Sequence, residues 1–247
     1  MFDNTTGEYN TAIGHESLAD NTTGANNVAV GYHALREVTT GSANVAVGRG
    51  SLYNLTTGGY NTAVGANALH TNETGIQCTA VGYHALYYNT ASYNTAVGWE
   101  ALDANTSGQF NVAVGYDSLG LNVTGSYNTA LGLKAGYSNT TGSNNVFIGY
   151  KAGYNETGSN KLYIDNSNTS TPLIHGDFDT DKVTINGNMT VTGSLRANTF
   201  TDNDGNSLMA KNVETGEITL TTTTIQDTSG SKYVRKDRNT GSVHIGE

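Results

Sequence analysis

One motif, repeated at an almost constant interval, decides what this chain can become. Asn61-Thr62-Ala63-Val64-Gly65 recurs with variation nine times, its last residue falling at Gly14, Gly31, Gly48, Gly65, Gly82, Gly98, Gly115, Gly132 and Gly149. The intervals are 17 residues throughout, except for one of 16 between Gly82 and Gly98. A fixed period of this size marks a repeat architecture, in which one unit cannot bury its apolar side chains alone and a stack of units can. Gly, Asn and Thr recur too often inside the unit for a stable helix.

Counted from the motif glycine as zero, the unit is simple. Position −4 is Asn in eight copies and Cys78 in the other. Position −3 is Thr or Val, and position −2 is Ala except at Phe147. Position −1 is always an aliphatic residue: Ile13, Val30, Val47, Val64, Val81, Val97, Val114, Leu131 and Ile148. Position +4 is Leu in seven copies, then Gly136 and Gly153, and Thr-Gly turns close most units. In a strand, successive side chains point to opposite faces. Positions −3, −1 and +1 then form a bulky face, and Asn, Ala and Gly form a nearly flat one that a second layer can approach closely. Stacked Asn side chains can bond the copies above and below in a ladder. These features predict an all-β, parallel β-roll or β-solenoid over residues 1–160. Nine coils at about 4.8 Å each give a rod on the order of 40 Å.

The palette agrees. Charged residues are 13% and apolar residues 36%, with 31 Gly and 1 Pro, so a large core of Leu, Ile, Phe and Met is excluded. The strict register argues against disorder, which low charge with much Gly would otherwise suggest. So thin a core in one chain predicts that several chains share one, with three about an axis as the expected number.

The Asn-Thr/Val-Ala-Val/Ile-Gly units, followed by Ala or Ser and then Leu, resemble the head repeats of trimeric autotransporter adhesins. They are still more similar to the Thr-Gly-x-x-Asn-Thr-Ala-Val-Gly repeats of phage tail fibres and related bacterial fibre proteins. The resemblance covers residues 1 to about 160. It implies an intertwined homotrimeric β-roll. The period of 17 is longer than that of the autotransporter heads, and no secretion signal or C-terminal anchor is visible, which favours the fibre reading over the autotransporter one.

Beyond the array the character changes. Lys161 to Asp165 reads as a strand closing the array. Pro172 and the acidic stretch Asp177 to Asp181 mark a boundary, and Lys182 to Leu195 alternates like strand–turn–strand. Residues 161–200 are expected to form a β-rich connector similar to fibre shaft segments. Residues 201–247 are expected to form a small end-piece, with strands at Glu217–Thr221, Lys232–Arg235 and Ser242–Ile245.

Several chemistries are weighed against plain structure. The net charge of −9 with no extended basic cluster argues against nucleic acid as a partner. No apolar run is long enough to insert in a bilayer. Cys78 is alone, so no internal disulfide forms, and it reads as a drifted repeat position. His33 and His84 share position +2, but the ligands wanted in neighbouring copies are absent, so no metal or other cofactor is expected. Glu100 and Asp117 fall at equivalent positions in adjacent copies. A glycan-cleaving tailspike needs two carboxylates about 5 to 10 Å apart, but variable surface charge is the simpler account and no catalytic residue is expected. Asn-x-Thr/Ser triplets at Asn21, Asn72, Asn105, Asn122 and Asn139 read as turn chemistry rather than glycosylation acceptors. Thr at −3 alternates with Val and makes no regular ice-binding grid.

The aromatics are the candidate contact surface. Position +1 carries Tyr32, Tyr83, Trp99, Tyr116 and Tyr150, and position −5 carries Tyr9, Tyr60, Tyr93, Phe110 and Tyr127. Such rows can stack on the sugars of a surface glycan or on another receptor, or simply ladder with one another along the coil edge. The function expected is a non-enzymatic fibre segment of a phage tail or a phage-tail-like machine, located in the virion or on an extracellular fibre. It would display a surface for host attachment and join other fibre or baseplate proteins. The alternatives are a glycan-binding adhesin and, further off, a depolymerase tailspike or an ice-binding protein.

Overall fold

A computed structural model describes residues 3–190 and 192, together with the backbone of five short strands beyond them. The chain divides into two compact units, residues 1–188 and 189–247. Among the described residues there is no helix.

The first unit is one sheet of twelve strands in sequence order. Each of the nine repeats gives one three-residue strand: β1 (Thr11–Ile13), β2 (Val28–Val30), β3 (Val45–Val47), β4 (Thr62–Val64), β5 (Thr79–Val81), β6 (Thr95–Val97), β7 (Val112–Val114), β8 (Thr129–Leu131) and β9 (Val146–Ile148). All pair in parallel and in exact repeat register, Ala29 beside Ala46, Ala46 beside Ala63, and so on. The architecture is therefore the parallel β-solenoid that the period implies. Pairing extends round the rest of the coil. Leu35 N–H donates to the Ser51 carbonyl at 3.0 Å, and Thr39 N–H to that of Thr56 at 3.0 Å. The 16-residue coil keeps the register, with Thr79 beside Thr95.

The strands are short because the motif glycine ends each one. These glycines have φ between +114° and +139°, a region that side-chain-bearing residues avoid. A Cβ on Gly65 would also run into the Gly82 carbonyl in the next coil.

The core lies on the Asn/Ala face of the strands. Ala29, Ala46, Ala63, Ala80, Ala96, Ala113 and Ala130 are fully buried. Opposite them stands the +4 column, Leu18 to Leu119, also fully buried. These leucines sit at φ of +49° to +55°. A left-handed conformation costs such a residue about 1–2 kcal/mol. Full burial of a Leu returns about 1.5–3 kcal/mol, which offsets that cost. In the last two copies Gly136 and Gly153 take the place of Leu, and Phe147 takes the place of Ala in β9. A Cβ on either glycine would meet the Phe147 ring. One large side chain on the strand thus fills the space left by two on the facing turn.

Two columns of buried Asn flank the apolar core. In the −4 column the Asn61 amide donates to Asn44 Oδ1 at 3.1 Å and to the Gly75 carbonyl at 2.8 Å, and Asn61 Oδ1 accepts from the Cys78 N–H at 3.0 Å. This is the ladder expected from the sequence. At Cys78 it breaks, and the +7 column steps across: Asn94 donates to Asn89 Oδ1 at 3.1 Å. The +7 column makes the turn bonds read from the Asn-x-Thr/Ser triplets, as where the Asn105 amide donates to the Gly108 carbonyl at 3.0 Å, and adds burial to them. Asn21, Asn72, Asn105, Asn122 and Asn139 are fully buried, closed to any glycosylating enzyme while the fold persists, and line the core. Where this column turns apolar it does so in adjacent copies, at Val38 and Leu55, and both are fully buried members of the hydrophobic core.

The bulky face points outward. Val64 and Val81 are each 37% exposed, Leu131 51% and Ile13 60%. A single chain therefore closes its core with Leu, Ala and Asn and leaves the aliphatic column of the motif outside it.

Beyond the ninth copy, β10 (Lys161–Ile164) adds in parallel to β9. The chain then reverses: β11 (Ile174–Asp177) pairs antiparallel with β10, and β12 (Lys182–Ile185) antiparallel with β11. The strand over Lys182 to Ile185 thus pairs with the segment before it. Most of the partner expected after it, toward Leu195, lies outside the described residues. In the second unit β13 (Thr199–Thr201), β14 (Ser207–Lys211) and β15 (Ile218–Leu220) form an antiparallel sheet, and β16 (Arg235–Lys236) pairs antiparallel with β17 (Val243–His244). The last three strands touch the segments expected at Glu217–Thr221, Lys232–Arg235 and Ser242–Ile245, the remainder of which lies outside the described residues.

Candidate functional site

The positions after each motif glycine place chemistry on the surface. Residue +1 continues the outward face of the strand, and +2 takes a left-handed turn, as at Glu16, His33, His84, Glu100 and Lys134. Because coils stack in register, like positions form columns. Tyr32, Tyr83, Trp99, Tyr116 and Tyr150 lie in the +1 column, between 38% and 48% exposed. They do not make one continuous row, since Arg49 and Ala66 separate Tyr32 from the rest. Tyr83 and Trp99 are neighbours, with ring centroids 4.3 Å apart. Tyr32 and Tyr83 each stack on the histidine that follows, at 3.7 Å on His33 and 3.9 Å on His84. Lys134 lies over Tyr116, and Lys151 over Tyr150.

Two further columns ladder. At −5, Tyr93, Phe110 and Tyr127 stack at 4.9 and 5.0 Å with their ring planes nearly parallel. At +5, Tyr53, His70 and Tyr87 stack at 5.1 Å each, and Tyr137 stacks on Tyr154 at 5.1 Å. The sequence reading missed this last column, although its members stand 17 residues apart like every other. Burial among these rings lowers the pKa of His70.

Charged groups share the surface. The Glu16 carboxylate accepts from Arg36 Nε at 2.9 Å and lies 3.0 Å from His33 Nε2. Its pKa is lowered, first by the Arg36 hydrogen bond. His84, the residue equivalent to His33, instead lies 3.2 Å from the Asn67 amide nitrogen. Midway along the stack Asp103, Glu100 and Asp117 come within electrostatic reach of one another. Burial, then Glu100 and Asp117, push Asp103 up to about 6. Burial likewise raises Asp117, although Lys134 Nζ stands 3.2 Å away and opposes it.

At the end of the array a depression of about 220 Å³ is lined by Tyr154, Glu156, Tyr163, Asn168 and Ser170, among others. Its carboxylate is committed: Tyr163 Oη donates to Glu156 Oε2 at 2.6 Å, and the Thr157 and Gly158 N–H groups donate to Oε1. Burial works against ionisation of Glu156, but these bonds outweigh it and its pKa is lowered.

Comparison with protein-family models, with curated proteins and with solved structures finds no match. No helix among the described residues is long and apolar enough to cross a membrane. The surface has two kinds of feature that can carry function, an aliphatic column that the chain leaves open and aromatic columns beside it.

Proposed function

We propose that the chain is a non-enzymatic structural segment of a homotrimeric fibre, of a phage tail or a phage-tail-like machine, working in the virion or outside the cell. The observation that carries this reading is the exposed aliphatic column. A coil that closes its own core has no internal need for a β-branched or Leu residue at −1 in every copy. A contiguous apolar stripe on a soluble chain marks a surface that meets another surface. The stripe repeats with the coil, so identical chains in register meet it with the same stripe, and three about an axis close without leaving an edge. Multiple copies then give avidity to whatever the fibre displays.

The test replaces Val64 and Val81 together by Glu. Neither side chain is in the core, so each chain keeps its fold, and β-sheet circular dichroism reports that. Association is lost if the column is the interface and is unchanged if it is not.

A second reading is favoured by Trp99, the single Trp of the chain, half-exposed beside Tyr83. Paired exposed rings of this kind stack on sugars, which makes the segment itself an attachment surface for glycan. Retention on a glycan array that disappears in Trp99→Ala supports this reading. Equal retention of the variant removes it.

A further inference from the structure

The first two coils bring together a set of side chains that no other part of the described array reproduces. His15 and Glu16 stand at +1 and +2 of the first copy, and His33 at +2 of the second. Their ligating atoms all lie within 4.8 Å of one another. Glu16 Oε2 and His33 Nε2 are 3.0 Å apart. A metal–nitrogen or metal–oxygen distance of about 2.0–2.2 Å sets neighbouring ligands of a tetrahedral centre roughly 3.3 Å apart. One pair is thus already at coordination spacing, and the exposed His15 completes the set by a small side-chain movement.

The surroundings hold these groups in place. His33 N–H donates to the His15 carbonyl at 2.9 Å, tying the two turns. The Tyr32 ring packs against both imidazoles, 5.3 Å from His15 at an interplanar angle of 14° and 3.7 Å from His33, and leaves the two imidazoles 5.8 Å apart. Arg36 Nε donates at 2.9 Å to Glu16 Oε2, the oxygen that faces His33, and so fixes the carboxylate. We infer that His15, Glu16 and His33 form a surface site for a divalent first-row transition cation, of which Zn(II) is the type, stapling the first coil to the second. Two imidazole nitrogens and one carboxylate oxygen suit such borderline cations and not Ca²⁺ or Mg²⁺, which favour all-oxygen sites. Water completes the coordination on the exposed side.

Position alone does not make the site. His84 occupies the same +2 turn, but Ala66 and Asn67 stand where His15 and Glu16 would be, and it lies against the amide instead. Reading the +2 column by itself therefore concealed the site, because one of its ligands belongs to the +1 column. Arg36 has a second effect. Its charge opposes a cation on Glu16, so the site binds more weakly than its ligands alone would allow.

The experiment is calorimetric titration of the full, tag-free chain with Zn(II), and separately with Mg²⁺. The expected result is one Zn(II) per chain and no heat from Mg²⁺. His15→Ala and His33→Ala each weaken binding by about tenfold or more, His84→Ala leaves it unchanged, and Arg36→Ala tightens it several-fold. His15 is exposed and outside the core, so its variant folds whatever becomes of the others, and circular dichroism without metal checks all four. No Zn(II) binding by the wild type overturns the inference. So does equal weakening by His84→Ala and His33→Ala, which means scattered surface histidines. The site lies within one chain, so its failure leaves the association proposed above untouched, and the reverse also holds.

Discussion

Asn111 shows how much a single buried amide does in this fold. It is fully buried; its nitrogen donates to Asn94 Oδ1 at 3.2 Å and to the Gly125 carbonyl at 2.8 Å, and its oxygen accepts from both the N–H and the amide of Asn128. Asn111→Ala leaves the Asn128 N–H unpaired in a dry interior, at about 1–3 kcal/mol, and takes one bond from each of Asn94 Oδ1, the Gly125 carbonyl and the Asn128 amide, which keep another, at about 0.5–1.5 kcal/mol each. We expect a loss of about 3 kcal/mol or more in urea unfolding, against under about 0.5 kcal/mol for the solvent-facing Gln109→Ala. Asp103 gives the pH dependence. Its folded pKa of about 6 lies above the ordinary 3.8, so its contribution is fully present below about pH 4 and is lost as pH rises through 6. Asp103→Asn removes this titration. The variant should gain on the wild type between pH 4 and pH 7 by roughly 1 kcal/mol, a figure reduced because the group is half-exposed. Thermal unfolding of both proteins across that range measures it. The −4 Asn was legible in the sequence because an amide at a fixed period can pair with its own copies. The +7 Asn was not, since Asn-x-Thr at a turn looks the same whether the turn faces water or, as here, the inside of a coil.

The coil is the element, and its rule is that a strand side chain and a turn side chain share one space. In seven copies Ala faces Leu. At the end of the array Phe147 faces Gly136 and Gly153. Phe147→Ala leaves a cavity costing about 3–5 kcal/mol. Adding Gly136→Leu and Gly153→Leu restores the ordinary pairing, and the triple variant should recover most of the loss, whereas the two leucines without Phe147→Ala should destabilise. Unfolding free energies of the three proteins test this, and additivity would contradict the shared space. The sequence displayed all three exceptions, but alternation along a strand says nothing about what stands across the coil. The same limit hid the +5 ring column and the meeting of His15 with His33. The period itself was fully legible, since strand, register and parallel pairing follow from Gly, Ala and branched residues at fixed spacing.

For the whole molecule the question is where the core ends. The thinness of the apolar palette pointed to a core shared among chains. The structure answers part of that by burying Leu, Ala and Asn within one chain, which the sequence did not reveal because buried Asn contributes nothing to an apolar count. It leaves the aliphatic column from Ile13 to Ile148 facing out, and that column is what the fibre account uses. The glutamates of the Val64→Glu, Val81→Glu chain should therefore cost little within one coil and much between coils of different chains. The measurement that tests the account most directly is the solution mass of the wild-type chain by light scattering, repeated in SDS without boiling. The account predicts three times 25.9 kDa in both conditions. A mass of 25.9 kDa, with the aliphatic column standing open in water, would contradict it.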